Sequence, residues 1–319
     1  MKAAIIHGMG ETPVYADFDA PAALAGHRLV DVRASALSRV AYAKASGKHY
    51  SSTHRFPFVA GLDGAGRLED GQRVYFCLPR APYGALAQQC LVAESLCTPI
   101  PDTLDDVSAA ALAIPGMSSW AALVERAGFV AGETVLVNGA TGVSGRLAVR
   151  IAKHLGAGKI IVTGRNRAVL DALREAGADV AIELNAEADA LAAKFAPHLE
   201  AGVDVVLDYL WGASAQALLT TAARALPDDR ALRFVQIGSA SGGEIALPGA
   251  ALRAAPITLL GSGIGSVAMP RLLESMRAVF GAAQAAGLAV ETQAVPLAQI
   301  AQHWREPSSG PRTVFTIEA

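Results

Sequence analysis

The chain has 319 residues, enough for two domains, and a net charge of −2 from 27 Lys and Arg against 29 Asp and Glu. This balance excludes a broad field that would attract nucleic acid or an anionic membrane, and no apolar run reaches the roughly 18–20 residues of a spanning helix or forms a secretion signal. Three cysteines without a CxxC pair indicate reduced thiols, so we expect a cytoplasmic protein with no nucleic-acid or membrane partner.

The first third of the chain is predicted to form strands. Short runs with high β propensity, separated by Gly and Pro turns, occur at residues 3–7, 28–34, 72–76 and 87–92. This pattern is typical of a compact, largely antiparallel domain that ends near residue 115.

From about residue 116 to 262, apolar strands alternate with helical windows rich in Ala and Leu. The predicted strands are 134–137, 160–163, 180–183, 203–208, 233–237 and 258–261, and the clearest helical windows are 146–155, 169–176 and 214–225. The alternation predicts right-handed crossovers and a doubly wound parallel sheet. A helix near 270–286 and a final strand at 313–317 are predicted to follow.

The segment ETVLVNGATGVSG, residues 133–145, carries the strongest functional signal. An apolar strand leads into a turn that contains Gly139, Gly142 and Gly145, and a helical pattern follows. Small residues let a phosphate approach the backbone, while a helix N-terminus offers unpaired N–H groups and the positive end of its dipole. Because a second strand arrives at the spacing of a βαβ unit, the segment predicts a dinucleotide pyrophosphate site.

The end of that second strand indicates which dinucleotide binds. NAD sites place an acidic residue about 20 positions after the glycine turn, where it holds the ribose 2′-hydroxyl. Here Gly164 is followed by Arg165, Asn166 and Arg167, with no carboxylate beside them. Two guanidinium groups suit a 2′-phosphate, so NADPH is the predicted cofactor. The alternative for both arginines is that they are solvated loop charges.

Taken together, these segments resemble the zinc-independent quinone oxidoreductase branch of the medium-chain dehydrogenases/reductases. The likeness covers nearly the whole chain and rests on MKAAIIH, FPFVAGLDGAG, DGQRVYF, AALAIPGMSSWAAL, VLVNGATGVSG, GVDVVLDYLWG, VQIGSASG and GPRTVFTI. It implies an α/β fold in which a GroES-like, mostly β substrate domain (residues 1–115 and 263–319) surrounds a Rossmann domain with a doubly wound parallel sheet (residues 116–262). A homodimer is expected.

The resemblance also predicts that no metal takes part. Zinc-dependent members carry a cysteine where this chain has Ser38, and a histidine–glutamate pair where it has Leu62 and Asp63. A hydroxyl and a leucine cannot replace the thiolate and imidazole ligands of catalytic zinc. One interpretation of Ser38, Arg39 and Asp63 is that they are surface groups without a catalytic part.

For the reaction itself, the family places the nicotinamide in the cleft between the domains, lined by the loop of residues 38–50. In that loop Ser38 and Tyr50 are the predicted catalytic groups, facing the substrate carbonyl, and packing is the alternative for Tyr50. Quinones accept hydride readily, whereas conjugated enones need a proton donor or a hydrogen bond to the carbonyl.

Cofactor contacts carried over from the family occur on the helix before the Rossmann domain, in the glycine turn and at the ends of the sheet strands. The predicted set is Ser118, Gly139, Thr141, Gly142, Val143, Ser144, Gly145, Gly164, Arg165, Arg167, Ile237, Gly238, Ser239, Gly261 and Ser262. For Asp208, a backbone cap and a cofactor contact are equal alternatives.

The sequence therefore predicts an NADPH-dependent, metal-free reductase that transfers hydride to quinones or other α,β-unsaturated carbonyls. One alternative is a zinc-independent alcohol dehydrogenase or an enoyl reductase of a specific pathway. Missing zinc ligands count against alcohol oxidation, because the alkoxide would lack a Lewis acid. Another is a non-catalytic NADPH sensor, since Ser38, Ala41 and Ala43 replace polar residues common in the family.

Overall fold

The computed structural model describes residues 1–47, 55–305 and 310–318, and the chain divides into two compact units. The first unit contains Met1–Ile114 and Ala289–Ala319, and the second contains Pro115–Leu288. The first unit is therefore built from two separate stretches of the chain, whereas the second is continuous.

Strands dominate the first unit. They are β1 (Lys2–Ile6), β2 (Val14–Asp17), β3 (His27–Ala36), β4 (Phe58–Val59), β5 (Asp63–Leu68), β6 (Arg73–Cys77), β7 (Gln89–Ala93), β8 (Cys97–Pro99), β15 (Thr292–Pro296) and β16 (Arg312–Thr316). The helices are α1 (Arg39–Ala45), the beginning of α2 (Asp106–Ala121) and α9 (Ile300–His303).

These strands form two sheets. The smaller has the order β2-β1-β4, and the larger runs β15-β16-β3-β5-β6-β8, with β7 also paired to β3. Every pairing is antiparallel except that of β15 with β16. An apolar core that includes Val74, Phe76 and Phe315 is almost completely buried against the larger sheet. The predicted mostly β unit is confirmed.

The second unit alternates strands and helices. Its elements are the rest of α2, β9 (Thr134–Asn138), α3 (Val143–His154), β10 (Lys159–Gly164), α4 (Arg167–Glu175), β11 (Val180–Glu183), α5 (Ala188–Glu200), β12 (Val205–Asp208), α6 (Ala213–Ala225), β13 (Leu232–Gln236), α7 (Ala251–Ala254), β14 (Ile257–Gly261) and α8 (Met269–Ala282). All pairings are parallel, in the order β11-β10-β9-β12-β13-β14. This is the doubly wound order of a Rossmann sheet, as predicted.

Two features of this unit differ from the prediction. Helix α3 begins at Val143, so Val143, Ser144 and Gly145 form its first turn rather than the preceding loop. Helix α8 belongs to the second unit, because its apolar side buries Leu272 in a cluster with Ala121 and Val267. The later boundary between the units therefore falls after Leu288 rather than after 262, while the earlier one falls after Ile114, close to the predicted 115.

One helical stretch of the described chain, Asp106–Ala127, is long and apolar enough to cross a membrane by length and composition alone. It consists of α2 continued by a π-helical turn, Ala122–Ala127. Within its most apolar window 61% is buried inside the fold. Such burial is typical of a core helix, which passes the same length and composition test.

Candidate cofactor and active site

The glycine turn after β9 has the shape that a pyrophosphate needs. Gly139 adopts φ +90°, a left-handed conformation that favours glycine. A Cβ built at Gly145 would lie 2.5 Å from the Gly139 carbonyl oxygen and 2.6 Å from the Ala140 Cα, so only glycine fits there. At Gly142 the nearest atom to such a Cβ is 3.9 Å away, which leaves that side of the turn open.

Helix α3 starts at this turn without a side-chain cap. Its N-cap is Gly142, which has no side chain to accept a hydrogen bond from the first N–H groups. The first N–H groups of a helix have no partner within the helix, and the positive end of the helix dipole lies at the same place. The chain thus fits a dinucleotide phosphate through its backbone, in the predicted place.

Buried polar side chains fix the strand ends around the turn. The Thr163 hydroxyl donates to Asn138 Oδ1 (2.7 Å) and accepts the Gly139 N–H (3.1 Å). Asn138 Nδ2 donates to Asp208 Oδ1 (2.7 Å) and to the Ser214 hydroxyl (3.0 Å). Strands β9, β10 and β12 are therefore held together at their carboxyl ends.

Asp208 acts as a backbone cap, one of its two predicted alternatives. Its carboxylate accepts the N–H groups of Leu210 and Trp211 at 3.1–3.2 Å, which supports the left-handed conformation of Trp211 (φ +54°). Burial raises the pKa of Asp208 to about 6, although Asn138 and the two N–H groups lower it. Its hydrogen bonds go to the protein, so its contribution to the site is to hold the loop after β12.

The two arginines of the predicted phosphate clamp lie on the surface after β10. Arg165 and Arg167 are both exposed, and Arg167 Nε pairs with Asp171 at 3.1 Å. Asn166 between them caps α4 by accepting the Val169 N–H at 3.2 Å. The loop is therefore ordered by Asn166, and the Arg165 guanidinium projects from a fixed backbone.

Gly164 and Thr141 bring this loop against the glycine turn. A Cβ at Gly164 would come within 2.3 Å of the Thr141 methyl group, so the two residues are in contact. Arg146, which is not among the predicted cofactor contacts, donates from Nε to the Thr141 carbonyl at 3.1 Å. A third guanidinium group thus lies beside the turn. The clue in the sequence was its place in the first turn of α3, next to Gly145.

On helix α2, Ser119 lies next to the predicted cofactor contact Ser118 and makes hydrogen bonds within the protein. Ser119 is fully buried, and its hydroxyl lies 2.7 Å from the Tyr209 hydroxyl, 2.9 Å from the Pro115 carbonyl and 3.0 Å from the Ser144 carbonyl. Ser118 is half-buried and lies outside this network. Adjacent serines on a helix point about 100° apart. The sequence alone did not show which of the two faces Tyr209, because it does not give the rotation of the helix about its axis.

The remaining predicted contacts lie at the carboxyl ends of β13 and β14. The N–H groups of Ile237 and Gly238 both donate to the Asp208 carbonyl, at 2.7 and 3.1 Å. Ser239 is exposed and Ser262 half-buried, and the Ser262 N–H donates to the Gln236 carbonyl at 2.8 Å.

A cavity of about 380 Å³ lies at this edge, lined by Trp211, Gln236, Gly243, Leu259, Leu260 and Gly261. Ligands of open α/β sheets bind at the carboxyl ends of the strands. The predicted contacts on β9, β10, β13 and β14 therefore share one edge of the sheet.

In the first unit, Ser38 is almost fully buried, at 4% exposed, and accepts the Ala41 N–H at 3.0 Å as the N-cap of α1. A hydroxyl used in this way can still donate its own proton. Tyr50, the other predicted catalytic residue, lies outside the described residues. The interpretation of Ser38 and Asp63 as surface groups is wrong, because they are 4% and 0% exposed, whereas Arg39 is exposed.

The predicted absence of zinc concerns the same region. Within residues 1–47, 55–305 and 310–318, no group of three or more His, Cys, Asp or Glu side chains could hold a metal ion. Leu62, at the position of a zinc ligand in related enzymes, is 9% exposed. Independence from zinc stays a prediction.

Known proteins resemble this chain both in its second unit and over nearly its whole length. Residues 144–278 match the family model described as zinc-binding dehydrogenase. The chain is 30% identical to the "Probable NADPH-dependent quinone reductase" of Emericella nidulans, over 95% of this chain and 96% of that protein. It is 32% identical to the 2-methylene-furan-3-one reductase of Solanum lycopersicum, over 50% of this chain and 45% of that protein.

The fold has solved counterparts. The quinone oxidoreductase of Thermus thermophilus, solved also as its complex with NADPH, superimposes with a TM-score of 0.80 at 22% identity, over 99% of this chain and 100% of that one. The likeness to this structure concerns the fold, while the fungal relative matches the sequence almost end to end. The chain belongs to the quinone oxidoreductase branch of the medium-chain dehydrogenases/reductases.

Proposed function

We propose that the protein is an NADPH-dependent reductase that transfers hydride to quinones or other α,β-unsaturated carbonyls. The observation that carries the proposal is the uncapped start of α3 at a turn where Gly145 cannot bear a Cβ. The NADPH- and enone-linked names of the relatives support the same reaction class. Bound NADPH would supply the hydride, and the protein's part is to hold the cofactor and polarise the acceptor.

The residues that would hold NADPH follow from the geometry of the second unit. The N–H groups of Val143, Ser144 and Gly145 would bind the pyrophosphate, and Arg165 and Arg167 the 2′-phosphate. The Ser119–Tyr209 pair lies against Ser144, so it would support the same end of the helix.

Changing Arg165 and Arg167 together to Ala is expected to raise the Kd for NADPH at least about 10-fold, because a charge-assisted hydrogen bond contributes roughly 1.5–3 kcal/mol. NADH binding should hardly change, since NADH lacks the 2′-phosphate. Fluorescence titration of both cofactors measures the two constants. Arg174→Ala, at the far end of α4, serves as a matched surface control. Equal losses for both cofactors would contradict the phosphate assignment.

For the acceptor, we propose that Ser38 and Tyr50 donate hydrogen bonds to the substrate oxygen. Ser38 is fixed by the Ala41 N–H and keeps a proton to donate, which supports its part. The assignment of Tyr50 rests on the sequence resemblance. Neither role needs a metal, and we propose that the reaction proceeds without zinc.

We further propose a homodimer in the cytoplasm. The proposal of a dimer is supported by β14, an outer strand of its sheet on which Leu259 is 38% exposed, because an edge strand presents backbone groups with which another chain can pair. The three cysteines are free thiols, in keeping with a reducing compartment. Sedimentation of the purified protein tests the dimer directly.

The reaction is tested by following NADPH oxidation against quinones, enones, enoyl thioesters and aldehydes, with a chelator present. Turnover with quinones or enones that resists the chelator is the expected result. Turnover confined to enoyl thioesters would favour a pathway enoyl reductase. Tight NADPH binding without turnover on any acceptor would favour the sensor and contradict the reductase.

A further inference from the structure

In the first unit, the buried side-chain atoms without a hydrogen-bond partner lie on one face of the larger sheet. Within the described chain they are Asp63 Oδ1, Thr98 Oγ1, and Nε and Nη2 of Arg312. A buried polar atom left unpaired is destabilising, more so if it is charged, so four such atoms are an exception that needs an explanation.

Strand register places these residues together. Asp63 pairs with Cys77, and Tyr75, two residues earlier on the same strand, pairs with Thr98. Val314 pairs with Ala36, and Arg312 lies two residues before Val314. Paired residues and residues two apart point to the same face of a sheet. Asp63, Tyr75, Thr98 and Arg312 therefore form one buried group, which we call the polar stripe.

Ser38 lies at the end of this stripe. It is two residues beyond Ala36 and keeps an extended backbone (φ −103°, ψ 156°), so its side chain points to the same face. The Leu37 N–H donates to the Thr313 carbonyl at 3.0 Å, which makes Ser38 and Arg312 the next residues outward on the two strands. Leu37 packs in the apolar core on the other face.

Burial within the stripe favours a proton held at Asp63. Its Oδ2 accepts the Tyr75 hydroxyl at 3.1 Å, while no ion pair within 4.0 Å joins Asp63 to Arg312 among the described residues. Burial raises the pKa of Asp63 to about 7, although Arg312 and Tyr75 lower it. Among the residues that the structure describes, the other titratable groups facing Asp63 are Tyr75 and Cys77, whose pKa values are raised by burial, and Arg312, whose pKa burial lowers. The β3 residues on this face, Ala34 and Ala36, carry no charge.

We propose that the polar stripe is a water-bridged proton path that ends at Ser38, and that Asp63 is the positioning residue that holds the proton taken up by the reduced acceptor. Water supplies the donors and acceptors that Asp63 Oδ1, Thr98 and Arg312 lack within the protein. The identity of the acceptor in this proposal rests on the proposed function. The source of the proton rests on the geometry of the polar stripe.

For an enone, bound NADPH would supply a hydride, with its electron pair, to the acceptor β-carbon, and the C=C electrons would move to the carbonyl oxygen. That oxygen would take the Ser38 hydroxyl proton, Ser38 would regain a proton from the adjacent water, and the Asp63 O–H bond would break to supply that proton along the path. The Asp63 carboxylate is left near Arg312 and regains its proton from solvent after product release.

The test compares Asp63→Asn with Asp31→Asn, an exposed aspartate on β3 of the same sheet. Asparagine keeps the acceptor for Tyr75 and loses the ionisable proton. We expect kcat for a cyclic enone to be about 100-fold lower in D63N than in the wild type, which is within the range of general acid catalysis. In the wild type kcat should decrease above neutral pH, and in D63N this decrease should be absent. The rate with 1,4-benzoquinone, which needs no dedicated acid, should change less than about threefold, and D31N should match the wild type.

Equal losses with enone and quinone in D63N would overturn the proposal, because a merely structural role does not distinguish the acceptors. A second measurement needs neither turnover nor a D63N protein that folds. Carbon-13 NMR of aspartate-labelled wild type should show a carboxyl titrating near pH 7 whose midpoint moves in Thr98→Val. If every aspartate carboxyl whose midpoint moves in T98V titrates in the ordinary pH range of an aspartate, the result contradicts the proposed proton path. This holds even if the assay shows reductase activity.

Discussion

Replacing Gly145 with alanine is expected to raise the Kd for NADPH at least about 100-fold, the loss of roughly 2.7 kcal/mol of binding free energy. The added Cβ would lie 2.5 Å from the Gly139 carbonyl oxygen and 2.6 Å from the Ala140 Cα. Both are backbone atoms, which cannot turn aside as a flexible side chain can. Helix α3 must therefore move away from the turn, and its first N–H groups lose their alignment on the phosphates.

Two glycine variants separate binding from folding in this experiment. Gly142→Ala has open space around the added methyl group, so it should fold normally yet weaken NADPH by narrowing the approach to the turn. Gly281→Ala, in helix α8, adds a Cβ that meets no described atom within 4 Å apart from its chain neighbours and the backbone of its own helix; it should stabilise the protein by about 0.5–1 kcal/mol and leave the Kd unchanged. Isothermal titration and thermal unfolding of the three variants give both quantities. An unchanged Kd in G145A would refute the assignment of this turn.

The second large effect concerns stability and pH. Relative to Asp63→Asn, the wild type is expected to lose about 4 kcal/mol of unfolding free energy between about pH 4 and pH 8. In the unfolded chain Asp63 releases its proton near 3.8, whereas burial in the fold holds that proton until about pH 7. Between these values the folded state binds more protons, so stability falls as pH rises.

Urea unfolding at several pH values measures this difference. Asp208, whose pKa is also raised by burial, is present in both proteins and cancels in the comparison. Asp31→Asn, at an exposed aspartate of the same sheet, is the control for the removal of a surface carboxylate. A difference between D63N and the wild type that does not vary with pH would mean that Asp63 is ionised throughout the range.

Much of the second unit could be predicted because its strands are short apolar runs buried on both sides, such as Val135, Leu136 and Val137. Helix α5 was not predicted, since Pro197 and a weak apolar stripe obscure its period. Helix α8 was assigned to the wrong unit. The sequence of a helix indicates which of its sides is apolar, but not which unit buries that side. Here Leu272 and Leu273 are buried in the second unit.

The glycine turn could be located from sequence because its chemistry is local: every contact that forbids a Cβ at Gly145 comes from residues within the same short segment. The polar stripe could not be located from the sequence. Asp63 follows a leucine in a stretch with the composition of a loop, and only the register of β5 with β6 and of β16 with β3 brings it into a buried group. Ser119 was missed for a related reason, since its partners Tyr209 and Ser144 are distant in sequence.

The division of the first unit into two stretches of chain sets an order for assembly during synthesis. The continuous second unit is complete once Leu288 has been made, and it contains its own sheet and core. Strand β3 can pair with β16 only after the whole second unit has been synthesised, because β16 follows that unit in the chain. Until then the edge of β3 that β16 later covers is open, and Asp63 lacks its cationic neighbour Arg312. A ribosome that stalls between the two would thus release a chain with a finished nucleotide-binding half and an exposed strand edge, the kind of species on which chaperones act.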